Sequence, residues 1–356
     1  MKSLKLFLLL FALCLPALQG FAGNPERTGQ AGATQLLINP YGRSSGINGL
    51  NASFTRGIES SITNIAGLAH TGGTELIFAH TIWLQGTDIR INSFGFAQRF
   101  GENGGVMGIS AVAFDLGDIE ITTIDNPDGG IGTFSPTFLN ISASYAREMV
   151  EDRIFVGASV KMVHESVPDA AATGVCFDAG VQFQNKSEKF KIGVALRNVG
   201  PTMQYSGDAL TVRAQLAGDD AGFDNAVSIK AADFELPAVL LIGTSYDILI
   251  GKTDSTAAQH RITPVGQFTS NAYGYDQFGL GVEYAFKDYF MVRFSHIYEE
   301  NIFDEEETRN AYTGLAGGVS VNIPFGGGRT AFGVDYSYRH TYFFNGTHTI
   351  GARLTL

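Results

Sequence analysis

The chain is poor in cysteine, in charge and in long apolar runs, and each shortage excludes something. Of 356 residues only two are cysteine, and charged residues make up 17%, below the ~25% usual in soluble domains. One of the two, Cys14, falls in a segment that reads as an export leader. The exported chain then keeps Cys176 alone, which excludes an intramolecular disulfide and any disulfide-stapled scaffold. Cys176 sits between Val175 and Phe177 with no histidine near it in sequence, so it reads as a small strand residue rather than a nucleophile. Cations are also scarce: 24 Lys and Arg against 35 Asp and Glu leave a net charge of −11, which excludes a basic nucleic-acid binder. Beyond the leader no apolar run approaches the ~20 residues of a membrane-spanning helix. Ala238 to Ile250 comes nearest and is interrupted by Thr244, Ser245 and Asp247.

Glycine and aromatic residues are abundant instead. There are 44 glycines, 27 Phe and 13 Tyr, so glycine stands well above its usual ~7% without a collagen period. The aromatic content excludes intrinsic disorder. Met1 to Ala22 reads as the leader: Lys2 and Lys5 give the positive start, Leu6 to Leu18 the apolar stretch, and Gly20-Phe21-Ala22 the small residues before cleavage. Phe11 and Leu13 flank Cys14 where a lipoprotein signal would place small residues, which argues against lipidation there.

After the leader, apolar and small or polar residues alternate. From Thr173 to Gln184 one parity carries Val175, Phe177, Ala179, Val181 and Phe183, and the other carries Cys176, Asp178, Gln182 and Gln184. From Asp276, Phe278, Leu280, Val282, Tyr284 and Phe286 oppose Gln277, Gly279, Gly281 and Glu283. Period-two alternation is the signature of a strand with two unlike faces. It predicts strands near 74–84, 88–100, 104–116, 136–147, 152–166, 172–184, 189–198, 236–250, 258–269, 275–286, 289–298, 310–323, 329–342 and 346–356.

Many alternating strands suit either a soluble sandwich or a membrane barrel. Aromatics crowd strand ends, as in Phe94, Phe96 and Phe100 or Tyr338, Tyr342, Phe343 and Phe344, in the manner of interfacial girdles. The connections are also sorted by length. Tight ones (Gly101 to Asn103, Glu148 to Glu151, Asn185 to Glu188, Lys287-Asp288, Pro324 to Gly328) follow even-numbered strands, and long ones (Gly117 to Ser135, Val199 to Glu235, Glu299 to Arg309) follow odd-numbered strands. Short periplasmic turns and long outer loops are the asymmetry of a bacterial barrel. The expected fold is therefore all-β: an antiparallel transmembrane β-barrel of about fourteen strands with an N-terminal hatch or plug. An even count places both chain ends at the periplasm. The apolar parity faces lipid, and the sheet is expected to have no dry centre of its own.

The division expected is a signal peptide at 1–22, a hatch at 23–73 and the barrel at 74–356. The hatch stretch is rich in Gly, Ser and Asn and suits either a disordered leader or a plug in the lumen. Leu36-Leu37-Ile38 and the turn signals Asn39-Pro40 and Ser45-Gly46 favour the plug. Ile58, Ile62, Ile65 and Leu68 predict one helix-like piece around Gly57 to Leu68.

The run Gly32-Ala33-Thr34-Gln35-Leu36-Leu37-Ile38-Asn39-Pro40, then Arg43-Ser44-Ser45-Gly46, resembles the start of PorV/PorQ family proteins. So does Asn64-Ile65-Ala66-Gly67-Leu68 running into Thr74-Glu75-Leu76. The similarity continues through Phe114 to Asp118 and Leu196 to Pro201. That family belongs to a wider FadL-like class of fourteen-stranded outer-membrane barrels with an N-terminal hatch. The resemblance implies a bacterial outer membrane of the Bacteroidota type and association with the type IX secretion system, with secretion-system proteins or secreted cargo as partners. The class commonly has Asn-Pro-Ala in the hatch, where this chain has Asn64-Ile65-Ala66.

No motif points to catalysis, a metal or a cofactor. The seven histidines are scattered, His164-Glu165 lacks the second histidine of a zinc-protease helix, and no Gly-x-Ser-x-Gly elbow occurs. The acidic run Asp304-Glu305-Glu306-Glu307 lacks the alternating ligands and glycine turn of a calcium loop. It reads first as a solvated outer loop that repels its neighbours, with a partner-facing role as the sharper hypothesis. The chain is thus expected to be no enzyme and to serve in one of two ways. It is a component of protein export that binds partners through its outer loops, with Asn64 to Leu68 as the hatch motif. Alternatively it is a transporter of hydrophobic small molecules, with a hydrophobic ligand in an apolar pocket between hatch and wall, lined by aromatics with one or two polar anchors.

Overall fold

The structure, a computed structural model, describes residues 24–101, 104–214, 225–251, 258–306, 308–325 and 330–356. The expected leader, Cys14 and Glu307 lie outside the described residues.

Fourteen antiparallel strands form one closed sheet, each paired with its neighbours in sequence. They are β1 (Thr74–Ile82), β2 (Arg90–Arg99), β3 (Val106–Asp115), β4 (Thr137–Val150), β5 (Ile154–Val167), β6 (Ala170–Gln184) and β7 (Phe190–Val199). There follow β8 (Val239–Tyr246 and Ile248–Ile250, broken at Asp247), β9 (His260–Asn271), β10 (Gln277–Phe286), β11 (Phe290–Tyr298), β12 (Tyr312–Phe325), β13 (Thr330–Thr341) and β14 (Thr347–Thr355). The seam closes where β1 pairs with β14, from Glu75 opposite Thr355 to Ile82 opposite His348. Closure removes every sheet edge and satisfies the backbone internally, the condition for crossing hydrocarbon. Among the described residues no helix is long and apolar enough to cross a membrane.

Alternation decides which side chain faces where. Phe78, Ile109, Phe177, Leu280, Phe294 and Ile350 point outward and are 51–62% exposed. A belt of this size has no place in water and is the lipid face of the barrel. Phe100, Tyr289, Phe290, Tyr298 and Phe343 are exposed near the strand ends, at girdle height. The opposite parity, including Ser110, Ser142, Ser159, Ser320 and Thr349, is buried. The three long connections lie on the outer side and five tight turns on the inner side, but the outer β5–β6 connection is only Pro168-Asp169 and the inner β8–β9 connection runs from 251 to 259.

Two expectations fail in the N-terminal segment. The sheet does have a dry centre, because residues 33–70 occupy the lumen. Tyr41, Ile58, Ile65 and Leu68 pack with Ile77, Ala97, Val106, Ala146 and Phe155 of the wall. The first described residues also do not lie at the inner end where the strand count expects the chain to start. Thr74 and Leu356 exchange backbone hydrogen bonds at the inner end, but Ala31 bridges Glu235 of the long outer loop. From Ala31 at the outer rim the segment therefore descends the whole barrel before β1. Counting strands places the ends of the wall and says nothing about what precedes it.

The predicted single helix is also two shorter turns, Ile58–Ile62 and Ile65–His70. Asn64 separates them in extended conformation and caps the second, its Oδ1 accepting from the Ala66 N–H at 3.2 Å. A capping side chain competes with continued helix. Two inward glycines make this packing possible. A Cβ on Gly180 would collide with the Asn64 side chain, and one on Gly193 with the Ala52 carbonyl. Glycine on the inner parity thus marks close approach of another backbone.

Candidate functional site

The segment divides the lumen into an outer cavity and an inner basin. The outer cavity has a volume of about 390 Å³ and lies between the hatch, the wall and the outer loops. Ile38 and Ile62 of the hatch, Val239 and Leu241 of β8, Ile297 of β11 and Ile302 of the β11–β12 loop supply its apolar surface, together with the single tryptophan, Trp83.

Its rim is built from arginine laid over tyrosine. Arg339 lies 3.8 Å from the centre of the Tyr312 ring and Arg309 5.3 Å from that of Tyr275. Arg27 lies 4.5 Å from the Tyr273 ring and pairs with Glu235 at 2.8 Å. Asn48 joins hatch to rim: it donates to the Gly314 carbonyl at 2.8 Å and accepts from Arg339 Nε at 3.0 Å. Deeper in, Arg197 donates to the Leu36 carbonyl at 3.1 Å. The cavity therefore offers an apolar floor, flat aromatic faces and guanidinium donors. It carries more cations than the one or two polar anchors expected of an apolar pocket. None of these pairings was visible in the sequence, because the partners are distant along the chain and each is unremarkable alone.

Glu299, beside the rim, accepts from Gln277 at 2.6 Å, and burial holds its carboxyl above the ordinary range. Tyr205 of the outer β7–β8 loop donates to Glu165, which also accepts from Gln35 at 2.9 Å. This loop and the hatch are further joined through Met203, Leu236, Ala33, Leu36 and the buried, unbridged Cys176.

Asn64 to Leu68 do not line the outer cavity. Asn64 Nδ2 donates to the carbonyls of Ala52 at 2.9 Å and Val181 at 3.0 Å, so it fastens the hatch to itself and to β6. Ile65, Ala66, Gly67 and Leu68 are buried behind it. Asp304, Glu305 and Glu306 are exposed on the β11–β12 loop, with the Asp304 carboxylate accepting from the Glu306 N–H at 3.0 Å. They too lie apart from the cavity, although Ile302 and Arg309 of the same loop line it.

At the inner end the side chains are charged. Arg261 and Arg293 both pair with Glu283, at 2.9 and 2.6 Å, and Lys191 pairs with Asp247 at 2.6 Å. Glu59 is fully buried with Arg43 at 3.8 Å, and desolvation pushes its carboxyl well up. The His70 ring packs tilted against Phe155 with centroids 4.0 Å apart, and burial, reinforced by Arg56, lowers it to about 3. Among the described residues no three of His, Cys, Asp and Glu gather as a metal site would require.

No family model matches the chain, and no curated protein does. Solved structures are similar in fold. The Pseudomonas putida toluene transporter TodX aligns over 89% of this chain and 97% of its own, with a TM-score of 0.53 at 11% identity. A second structure of that transporter gives 0.51 at 13% identity with the same coverage. The deltaS2 mutant of the TodX monoaromatic hydrocarbon channel gives 0.50 at 11%. At such identities the likeness is one of architecture: a closed barrel of the same overall course.

Proposed function

We propose that this chain is an outer-membrane barrel that admits hydrophobic small molecules, with 1–22 as its export leader, 23–73 as the hatch and 74–356 as the wall. The observation that carries the reading is the outer cavity, which combines an apolar floor on the hatch with a rim of tyrosine faces. A concave, mainly apolar site with a few placed polar groups is what a small ligand needs. The fold shared with a transporter of toluene supports it. The role is non-enzymatic. A part in type IX secretion draws no support from the comparisons.

Trp83 is the only tryptophan and lines the cavity, so its emission is a built-in reporter. Titration of the detergent-purified protein with small aromatic and aliphatic compounds should give a saturable change in that emission. Substituting Ile62→Asp at the cavity floor should abolish it. A flat titration, with uptake of the same compounds unaltered in a deletion strain, would sink the proposal.

A further inference from the structure

The inner basin carries an unbalanced set of cations. Two cavities open there, of about 830 and 210 Å³, and they share Arg43, Arg56 and Asn322 in their linings. Lys186, Lys189, Lys191 and Arg261 face the larger, and His70 and Arg353 the smaller. Glu188 lines the larger cavity and Glu75 the smaller, the latter with Arg43, Arg56 and Arg353. Neither carboxylate enters an ion pair among the described residues; the remaining carboxylates are engaged. Asp247 holds Lys191 and accepts from Thr263, Glu283 holds Arg261 and Arg293, and Asp288 holds Arg261 at 2.9 Å.

Arg56 is left over. It is exposed into the basin, and none of the ion pairs among the described residues includes it. Burial lowers its proton affinity first, and Arg43 and Arg261 lower it further, outweighing Asp247 and Glu188. Its hatch neighbour Arg43 has its ion-pair partner Glu59 at 3.8 Å, beyond hydrogen-bond reach, with Glu283, Asp335 and Glu75 also favouring its charge. Arg353 on the wall donates to Asn322 at 2.8 Å. Guanidinium groups brought together in a chain of net charge −11 create a local field that favours an anion. Their planar forks match the paired oxygens of a carboxylate or phosphoryl group.

We propose that Arg43, Arg56 and Arg353 form a binding site for a compact oxyanion of the phosphate or carboxylate class, entering from the periplasmic end. Two of these residues lie on the hatch and one on β14, so a bound oxyanion ties the hatch to the wall. By linkage, a ligand that binds only the docked arrangement stabilises it. This site is separate from the outer cavity and does not depend on what that cavity takes.

The test uses the full mature protein in detergent at constant ionic strength set with chloride, because surface screening alone changes with salt. Inorganic phosphate, citrate and a short alkyl phosphate are titrated by calorimetry, with hydrogen exchange of residues 41–60 followed in parallel. Wild type is expected to bind with saturation and to exchange more slowly in that stretch when bound. Arg56→Gln should weaken binding by about tenfold or more, the loss expected for one charge-assisted contact. Arg213→Gln, on the exposed outer ribbon Thr211–Ala214, should leave it unchanged. Equal affinity for phosphate and its alkyl ester assigns the site to free anions, and tighter binding of the ester assigns it to the charged end of a longer molecule. Absence of saturation with all three probes, or an unchanged affinity in both Arg56→Gln and Arg353→Gln, overturns the proposal.

Discussion

At the outer end of the lumen Arg27, Arg309 and Arg339 lie over tyrosine rings, whereas at the inner end Arg261 and Arg293 meet carboxylates and Arg56 meets other cations. A guanidinium spread on an aromatic face keeps its charge while covering apolar surface, so the outer rim remains compatible with a hydrophobic guest. The inner cations sit among carboxylates and other hydrogen-bonding groups, and Arg56 enters no ion pair among the described residues. One barrel thus holds two chemically opposed chambers, kept apart by the contact between residues 50–68 and β5 to β7. Whether that partition is the organising feature can be tested by weakening it and then each side.

The largest effect should come from Gly193→Val, which drives a branched side chain into the Ala52 backbone. Overpacking of this kind costs about 1–3 kcal/mol. It should appear as a lower thermal midpoint and fast hydrogen exchange across 50–68. Gly266→Ala on the lipid face, where a Cβ meets only Leu280 at 3.6 Å, should change neither. If both variants behave alike, the partition is not held by close approach.

Next comes Asn64→Ala. It removes the donors to Ala52 and Val181 and the cap on Ala66, a loss of about 1–2 kcal/mol. Its signature is selective exchange at Ile65 to His70 while the wall stays protected. Equal loosening of β6 and β7 would show that the side chain serves the wall rather than the hatch.

A pH effect of intermediate size should follow. His70 is lowered to about 3, by burial above all, from an ordinary value near 6.5. A depressed folded value means that its contribution is complete above pH ~6.5 and is lost as pH falls towards the folded value. Protection of 64–70 should therefore drop between pH 7 and pH 5, after correction for intrinsic exchange, and His70→Gln should flatten that drop. Glu59, raised by burial, has the opposite sign, and its contribution is lost as pH rises. A variant that keeps the wild-type acid sensitivity would relieve His70 of this role.

The smallest effect belongs to the rim. Tyr312→Leu removes the ring beneath Arg339, and a partly exposed cation–π pair contributes about 0.5–1 kcal/mol. The Trp83 titration should shift a few-fold, with global stability unaltered. No shift would mean that the rim tyrosines do not touch the guest.

The wall was legible in the sequence because each strand writes its two environments in alternate residues. Val175, Phe177 and Val181 against Cys176, Asp178 and Gln182 are enough to orient β6. Loop length likewise separated the two membrane faces, since turns and long loops differ in residue count alone. The hatch was legible only as something unlike a strand. Its course depends on single contacts such as Asn48 with Arg339 and Gly314, or Asn64 with Val181, between partners more than a hundred residues apart. The Ile58 to Leu68 spacing resembled a helix because the same spacing serves two short turns packed on one wall. The candidate site shares this fate: tyrosine and arginine are common residues, and only closure of the cylinder sets Arg339 on Tyr312.

The descent of the N-terminal segment from the Glu235 bridge to the seam at Thr74 and Leu356 leaves it fastened in two unlike ways. At its foot it continues covalently into the first stave, whereas at its head only non-covalent contacts such as hydrogen bonds to the long outer loop hold it. The occupant is therefore a cord moored at one end, and a guest passes it by small displacements that loosen the head while the foot stays fixed.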